Sequence, residues 1–164
     1  MRRAFEFLER TQEAAGAWMP LWFGNEFEPD ESNRVYGTSR VLLAMPGTNP
    51  CPNAVAKAVD WLVGAQKPDG GWSGGLAPAP SSVEETALAV EALCAVLEGK
   101  PELQSALELV IRRGVAWLTR QIDAGAWSRP TPIGFYFARL WYFEELYPVI
   151  FTVAALGRAS RVLK

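Results

Sequence analysis

The 164-residue sequence contains no histidine, and this absence excludes several kinds of chemistry. Serine–histidine and cysteine–histidine nucleophilic catalysis need an imidazole, as does every metal site with a histidine ligand. Cys51 and Cys94 are the only cysteines and have no CxxC spacing. Two such residues are too few for a disulfide framework, so we expect reduced thiols, with Cys94 on a buried helix face. The sequence therefore predicts no metal site and no cofactor.

Long apolar runs and an excess of positive charge are also missing. The longest strongly apolar stretch, residues 149–156, is interrupted by Thr152 and is far shorter than the ~20 residues that cross a bilayer. The first three residues lead straight into a charged helical pattern, which is not typical of a secretory signal. The formal net charge is −2 at pH 7, which argues against a nucleic-acid partner. We expect a cytoplasmic protein that is either free or peripheral on a membrane.

What the sequence does contain is one pattern written three times. A basic residue, then Ala or Gly, then an aromatic residue and Leu lead to a Gln, and a Gly-x-Trp segment follows. The copies lie near residues 3–18, 57–72 and 113–127. Their Gln and Trp residues are Gln12 and Trp18, Gln66 and Trp72, and Gln121 and Trp127. The Trp residues thus recur at a nearly constant interval. Such a period is typical of repeat proteins, in which each unit buries its apolar face against its neighbours.

Each copy predicts two helices joined by the Gln-to-Trp turn. The first helices are predicted at 2–14, 52–66 and 102–121, and the second at 34–45, 82–98 and 135–161, the last broken at Pro148. The helix at 82–98 is apolar nearly all round and is predicted to lie in an inner layer, whereas the first helices carry charged residues on one face. Ser82 and Glu85 have the spacing of a capping box. The sequence thus predicts one all-α domain over residues 1–164, built from three stacked helix hairpins.

The repeated Gln and Trp residues are interpreted as structural. A Gln amide near a helix end can donate to an unpaired backbone carbonyl. A Trp after a Gly-rich turn can stack on its neighbours while its indole N–H finds an acceptor. Glycine allows the positive φ that such a turn needs.

These three segments resemble the QW motif of the triterpene cyclases, and residues 65–72 fit it best. Residues 85–87 (Glu-Thr-Ala) resemble the Gln-Thr-Ala that opens an inner helix in this family, and residues 36–38 resemble its Tyr-Gly-Thr segment. Residues 135–158 resemble the closing helices of squalene–hopene cyclases. The resemblance covers almost the whole chain, but only the C-terminal part of such an enzyme.

The resemblance implies an α/α toroid of two concentric helix rings, of which this sequence supplies about half. The family protonates squalene with an Asp-x-Asp-Asp motif, which none of the aspartates here forms. These are Asp30, Asp60, Asp69 and Asp123. The loop at 73–80 also lacks the aromatic rings that this loop carries in squalene–hopene cyclases. Protein prenyltransferase β-subunits share this kind of barrel, but their zinc needs a histidine ligand.

Two functions follow from the resemblance. In the first, the chain is the C-terminal segment of a squalene–hopene-cyclase-like enzyme and forms barrel wall for a polyprene such as squalene, without supplying the general acid. In the second, it is a free-standing, non-catalytic half-toroid that binds an isoprenoid, another lipid or a protein. A cut ring exposes apolar edges, so we expect it to pair, either as a homodimer or with the missing half of the barrel.

Aromatic residues are the candidates for substrate contact. At helical spacing they are most often core residues, and the other interpretation is an apolar cavity or a membrane-facing patch for an isoprenoid. The candidate substrate-binding residues are Trp22, Phe23, Tyr36, Phe135, Phe137 and Trp141.

No residue is predicted to be catalytic. The adjacent Glu84 and Glu85 are interpreted as first-turn carboxylates that favour the positive end of the helix dipole. Glu28, Asp30 and Glu31 lack the regular ligand spacing and glycine of a calcium loop and are interpreted as a solvated loop.

Overall fold

The computed structural model describes residues 2–45, 51–76, 79–131, 133–135 and 140–163. Within these ranges the helices are α1 (Arg2–Thr11), α2 (Arg34–Ala44), α3 (Pro52–Gly64), α4 (Val83–Gly99), α5 (Gln104–Asp123) and α6 (Tyr147–Val162). The strands are β1 (Phe23–Asn25), β2 (Ile133–Phe135) and β3 (Leu140–Tyr142), which form an antiparallel sheet in that order. A 3-10 turn, Pro101–Leu103, leads into α5. No helix in the described ranges is long and apolar enough to span a membrane.

Helix α4 forms the centre of the core. Nearly all of its residues are buried, and it packs against α2, α5 and α6. The helix begins at a capping residue, since the Ser82 hydroxyl accepts a hydrogen bond from the Glu85 N–H at 3.1 Å. Cys94 is buried within this helix as a free thiol. The predicted inner position of this helix is confirmed.

The helices form two layers. Helices α2 and α6 pack on either side of α4 and make up the inner layer. Helices α3 and α5 each bury one face, with Trp61 and Trp117 among the buried residues, and α1 has no buried residue in the described structure. Alternation of an outer and an inner helix along the chain is what a stack of helix hairpins requires.

The helix predicted at 135–161 is wrong over its first part. Residues 133–135 and 140–142 are strands, and α6 begins only at Tyr147. Aromatic residues fit a pleated sheet well, and here Phe135 pairs with Phe23 on one side and Leu140 on the other. Pro148 lies in the first turn of α6, where its missing N–H costs no helical hydrogen bond.

The other predicted elements differ from the structure mainly at their ends. Helix α1 stops at Thr11 and not at residue 14, and α5 continues to Asp123 and not to 121. Helix ends are the least well determined part of a periodic pattern.

Candidate functional site

The first Gln-to-Trp turn is held by three side-chain hydrogen bonds. The Gln12 amide donates to the carbonyl of Gly16 and to the carbonyl of Ala54 in α3, both at 2.8 Å. The Trp18 indole N–H donates to the carbonyl of Leu8 at 2.8 Å. One Gln side chain therefore joins the first repeat to the second.

The second turn repeats this arrangement. The Gln66 amide donates to the carbonyl of Gly70 at 3.0 Å and to that of Val110 in α5 at 2.9 Å. The Trp72 indole N–H donates to the carbonyl of Leu62 at 2.8 Å. Trp72 is fully buried, so its bond to Leu62 lies inside the core, and the Gln66–Val110 bond joins the second repeat to the third.

Two threonines connect these turns to the inner helices. The backbone N–H of Trp18 donates to the Thr38 hydroxyl at 3.0 Å, and that of Trp72 donates to the Thr86 hydroxyl at 2.9 Å. Both threonines are completely buried near the beginning of α2 and α4. The Tyr-Gly-Thr and Glu-Thr-Ala segments of the sequence thus supply equivalent hydroxyl groups.

The inner layer and the sheet bring six aromatic rings together in what we call the ring cluster. Its members are Phe23 of β1, Tyr36 of α2, Phe135 of β2, Tyr142 of β3, and Tyr147 and Phe151 of α6. The Phe23 ring lies 5.1 Å from Tyr36 and 6.3 Å from Phe135, between ring centres. The Phe135 and Tyr142 rings are 6.4 Å apart, and the Tyr147 and Phe151 rings 5.1 Å. These distances are typical of attractive aromatic pairs.

Arg40 connects the two ends of the ring cluster. Its guanidinium carbon lies 5.4 Å from the centre of the Tyr36 ring and 5.1 Å from that of Phe151. Both contacts have the geometry of a cation–π interaction, and together they bridge α2 and α6. The sequence analysis missed Arg40, although its position four residues after Tyr36 places both side chains on one helix face.

The predicted substrate-binding residues fall into two groups. Phe23, Tyr36 and Phe135 meet in the ring cluster. Trp141 pairs with Gly134 in the sheet, so its side chain points to the face opposite Phe135. Trp22 is exposed just before β1. Phe137 lies outside the described residues.

Helix α6 also exposes an apolar stripe, which consists of Leu146, just before the helix, together with Ile150 and Val153. These residues are spaced by four and three positions and so lie along one helix face. All three are exposed, on the helix that contributes Tyr147 and Phe151 to the ring cluster. An exposed apolar stripe on an inner helix is a surface suited to an apolar ligand or partner.

Glu85 lies at the centre of a buried polar network. Its Oε1 accepts hydrogen bonds from the side-chain amides of Asn25 and Asn33, both at 2.9 Å. Its Oε2 is buried and has no hydrogen-bond partner among the described residues. Burial raises the pKa of this carboxyl, and the two amide hydrogen bonds oppose the shift only in part.

Glu84 is buried as well, and its Oε1 accepts a hydrogen bond from the Thr131 N–H at 3.0 Å. Burial, with the adjacent charge of Glu85, raises the pKa of Glu84 to about 8. The interpretation of this pair as simple first-turn carboxylates is therefore wrong in one respect. The two groups lie in the first turn of α4, but they are buried, and burial favours the protonated form of Glu84.

The expectation of a solvated loop is wrong at Glu28. It is buried, and its Oε1 accepts hydrogen bonds from the Ser73 hydroxyl at 2.8 Å and the Gly75 N–H at 3.0 Å. Asp30 remains half-exposed and pairs with Arg34. Among the described residues, no group of three carboxylate or thiol side chains is placed to hold a metal ion. Glu28 thus links its own loop to the loop at Ser73 and Gly75, and Asp30 pairs with the first residue of α2.

Comparison with known proteins adds sequence relationships. Residues 1–161 match the family model described as "Squalene-hopene cyclase C-terminal domain". The chain is 30% identical over 179 residues to the squalene–hopene cyclase of Zymomonas mobilis, with 100% of this chain and 25% of that protein covered. It is 32% identical over 166 residues to the probable squalene–hopene cyclase of Sinorhizobium fredii, with 93% and 23% covered.

A similar fold occurs in a solved structure, that of ent-copalyl diphosphate synthase from Streptomyces platensis. The TM-score is 0.61 at 20% identity, over 94% of this chain and 27% of that one. The similarity shows a shared helical fold. The chain spans about a quarter of the length of the curated relatives that it matches.

Proposed function

Because this chain belongs to the squalene–hopene cyclase C-terminal domain family, we propose that it forms part of the wall of a barrel that encloses a polyprene such as squalene. The observation that carries the proposal is the exposed apolar stripe of α6 beside the ring cluster. Isoprenoid chains are apolar, and burying such a chain against Ile150 and Val153 removes apolar surface of both partners from water. The remaining wall would come from outside these residues.

The ring cluster is proposed to contact the substrate mainly through Phe23 and Phe135. Aromatic faces stabilise cations, and polyprene cyclisation proceeds through carbocations in the family that this chain resembles. Tyr36 and Phe151 each already have Arg40 over one ring face. We therefore assign these two rings to the Arg40 bridge between α2 and α6 and not to carbocation stabilisation.

The chain by itself is proposed to bind and not to cyclise. Protonation of an alkene needs a strong acid, and the sequence has no Asp-x-Asp-Asp motif. Glu84 is a poor substitute, because a carboxyl with its pKa raised to about 8 is a weaker proton donor than an ordinary glutamic acid. The acid would have to come from other parts of a barrel.

Thermal denaturation with and without squalene tests the proposal. Saturating squalene should raise the melting temperature of the chain, because a ligand that binds only the folded state stabilises it by mass action. The Ile150→Ser variant should lose most of this rise. The control variant is Leu109→Ser, which makes the same kind of change at an exposed site on outer helix α5. An absent rise, or an equal loss in both variants, would contradict the proposal.

A further inference from the structure

At each of the first two turns, the first helix of the following repeat packs against a glycine of the turn. Gly16 has φ 104° and Gly70 φ 96°. A Cβ on Gly16 would overlap the carbonyl oxygen of Lys57 in α3, and a Cβ on Gly70 would lie 2.8 Å from that of Arg113 in α5. The backbone carbonyl of the basic residue in the repeated pattern thus packs against the glycine of the preceding turn.

The side chains of the incoming helix complete this contact. The Arg113 guanidinium donates to the carbonyls of Lys67 and Pro68 at 3.0 Å. The Trp117 indole donates to the Asp69 carboxylate at 3.0 Å. Gly114, which follows Arg113, approaches the Trp72 ring so closely that a Cβ there would lie 2.9 Å from it. The docked face of an outer helix therefore consists of a basic residue, the small residue that follows it, and an aromatic residue three positions after the small one.

The third turn has the same Gln, Gly and Trp residues, but none of the described helices packs against it. Gly125 has φ 67°, and no atom of the described residues lies within 4 Å of a Cβ built on it. The Gln121 amide has no hydrogen-bond partner in the described part of the chain. Trp127 is 40% exposed, whereas Trp72 is 0% exposed. Ile122, beside Gln121, is exposed as well.

Helix α1 carries the other side of such a contact, and this side is exposed. It carries the docking pattern, with Arg3, Ala4 and Phe7 in the positions of Lys57, Ala58 and Trp61. Phe7 is 53% exposed, whereas Trp61 is 7% exposed and Trp117 6%. Ala4 is exposed, whereas Ala58 is completely buried. The face of α1 that matches the docked face of α3 and α5 is open.

We propose that the third turn, around Gln121, Gly125 and Trp127, is a docking surface for α1 of a second copy of this chain. The Arg3 carbonyl seats on Gly125, and Phe7 packs where Trp61 and Trp117 pack in the first two contacts. Each copy holds one open turn and one open helix, so the contact is head to tail. Two such contacts related by a two-fold axis give a closed dimer. The inference deepens the proposed function, since it names what completes the wall in this chain.

Two substitutions block the contact from its two sides without disturbing the isolated chain. Gly125→Asn places a side chain in open space, and asparagine tolerates a positive φ. Ala4→Glu adds bulk at a position that is exposed in α1 but corresponds to buried Ala58. Gly157→Asn is the control for the first variant, because Gly157 also has no atom within 4 Å of its Cβ position in the described structure.

Light scattering coupled to size exclusion, over a range of protein concentrations, tests the inference. The unaltered chain and Gly157→Asn should be dimers. The dimers of Gly125→Asn and of Ala4→Glu should each have a dissociation constant at least about tenfold higher than that of the unaltered chain, because overpacking weakens a fitted contact.

A monomer at every concentration, or a dimer that neither substitution weakens, would overturn the docking surface. The experiment contains no isoprenoid, so its failure would leave the squalene result unaffected. Conversely, a dimer that binds no squalene would contradict only the proposed function.

Discussion

The side-chain amide of Gln66 donates to the backbone carbonyl of Val110 at 2.9 Å, across the boundary between two repeats. The same amide closes its own turn through Gly70. One residue therefore determines both the shape of a turn and the position of the next outer helix. Gln121, the equivalent residue of the third copy, lacks both contacts among the described residues.

Replacing these two glutamines by leucine should have unequal effects. We expect Gln66→Leu to lower the free energy of unfolding by about 1–3 kcal/mol, because it removes two hydrogen bonds from a partly buried site. Gln121→Leu should change it by less than about 0.5 kcal/mol in the monomeric Gly125→Asn background. Urea denaturation followed by circular dichroism measures both. Equal losses would mean that the Gln66 contacts contribute nothing specific.

The glycines of the turns should show a similar contrast. Gly70→Ala is expected to cost about 2–4 kcal/mol, since it combines a left-handed backbone strain with a Cβ close to the Arg113 carbonyl. Gly125→Ala has only the backbone strain and should cost about 1 kcal/mol. Melting temperatures of the two variants, both made in the monomeric Ala4→Glu background, give the comparison. A Gly125→Ala variant as unstable as Gly70→Ala would contradict the difference in packing.

Glu84 should make the stability of the chain depend on pH. Its pKa is raised from 4.5 to about 8 on folding, so the folded state holds a proton that the unfolded state releases. The stabilisation is complete below about pH 4.5 and is lost as pH rises towards 8, with a slope of at most about 1.4 kcal/mol per pH unit.

Glu84→Gln removes this titration but keeps an oxygen that can accept from the Thr131 N–H. The variant should therefore be more stable than the unaltered chain at pH 8 and similar to it at pH 5, in urea denaturation at both values. Glu102→Gln, at an exposed glutamate, is the control and should leave the pH dependence as it is. A Glu84→Gln variant with an unchanged slope would contradict a folded-state proton on Glu84.

Much of the fold could be predicted because repeated local patterns in the sequence specify its helices and turns. The family and the α/α-toroid fold class suggested by the sequence are confirmed. Helix α4 was recognisable from its all-round apolarity and its Ser82 cap. The strands at residues 133–135 and 140–142 were not, because an aromatic run is equally apolar as helix or strand. Their pairing partner, Phe23, lies far away in the sequence.

The candidate site could be predicted only in part. Phe23, Tyr36 and Phe135 were selected as aromatic residues, and they do share one cluster. The buried network that joins Glu85 to Asn25 and Asn33 was missed, because hydrogen bonds between distant side chains have no local sequence signature. Whether the selected aromatic residues bind substrate stays a prediction.

The most direct test of the wall function is a chimera. The C-terminal quarter of the Zymomonas mobilis squalene–hopene cyclase is replaced by residues 1–161 of this chain, and the products formed from squalene are measured by gas chromatography and mass spectrometry. We predict a cyclised triterpene from the chimera and none from this chain alone. A chimera that melts cooperatively yet forms no cyclised product would contradict the account.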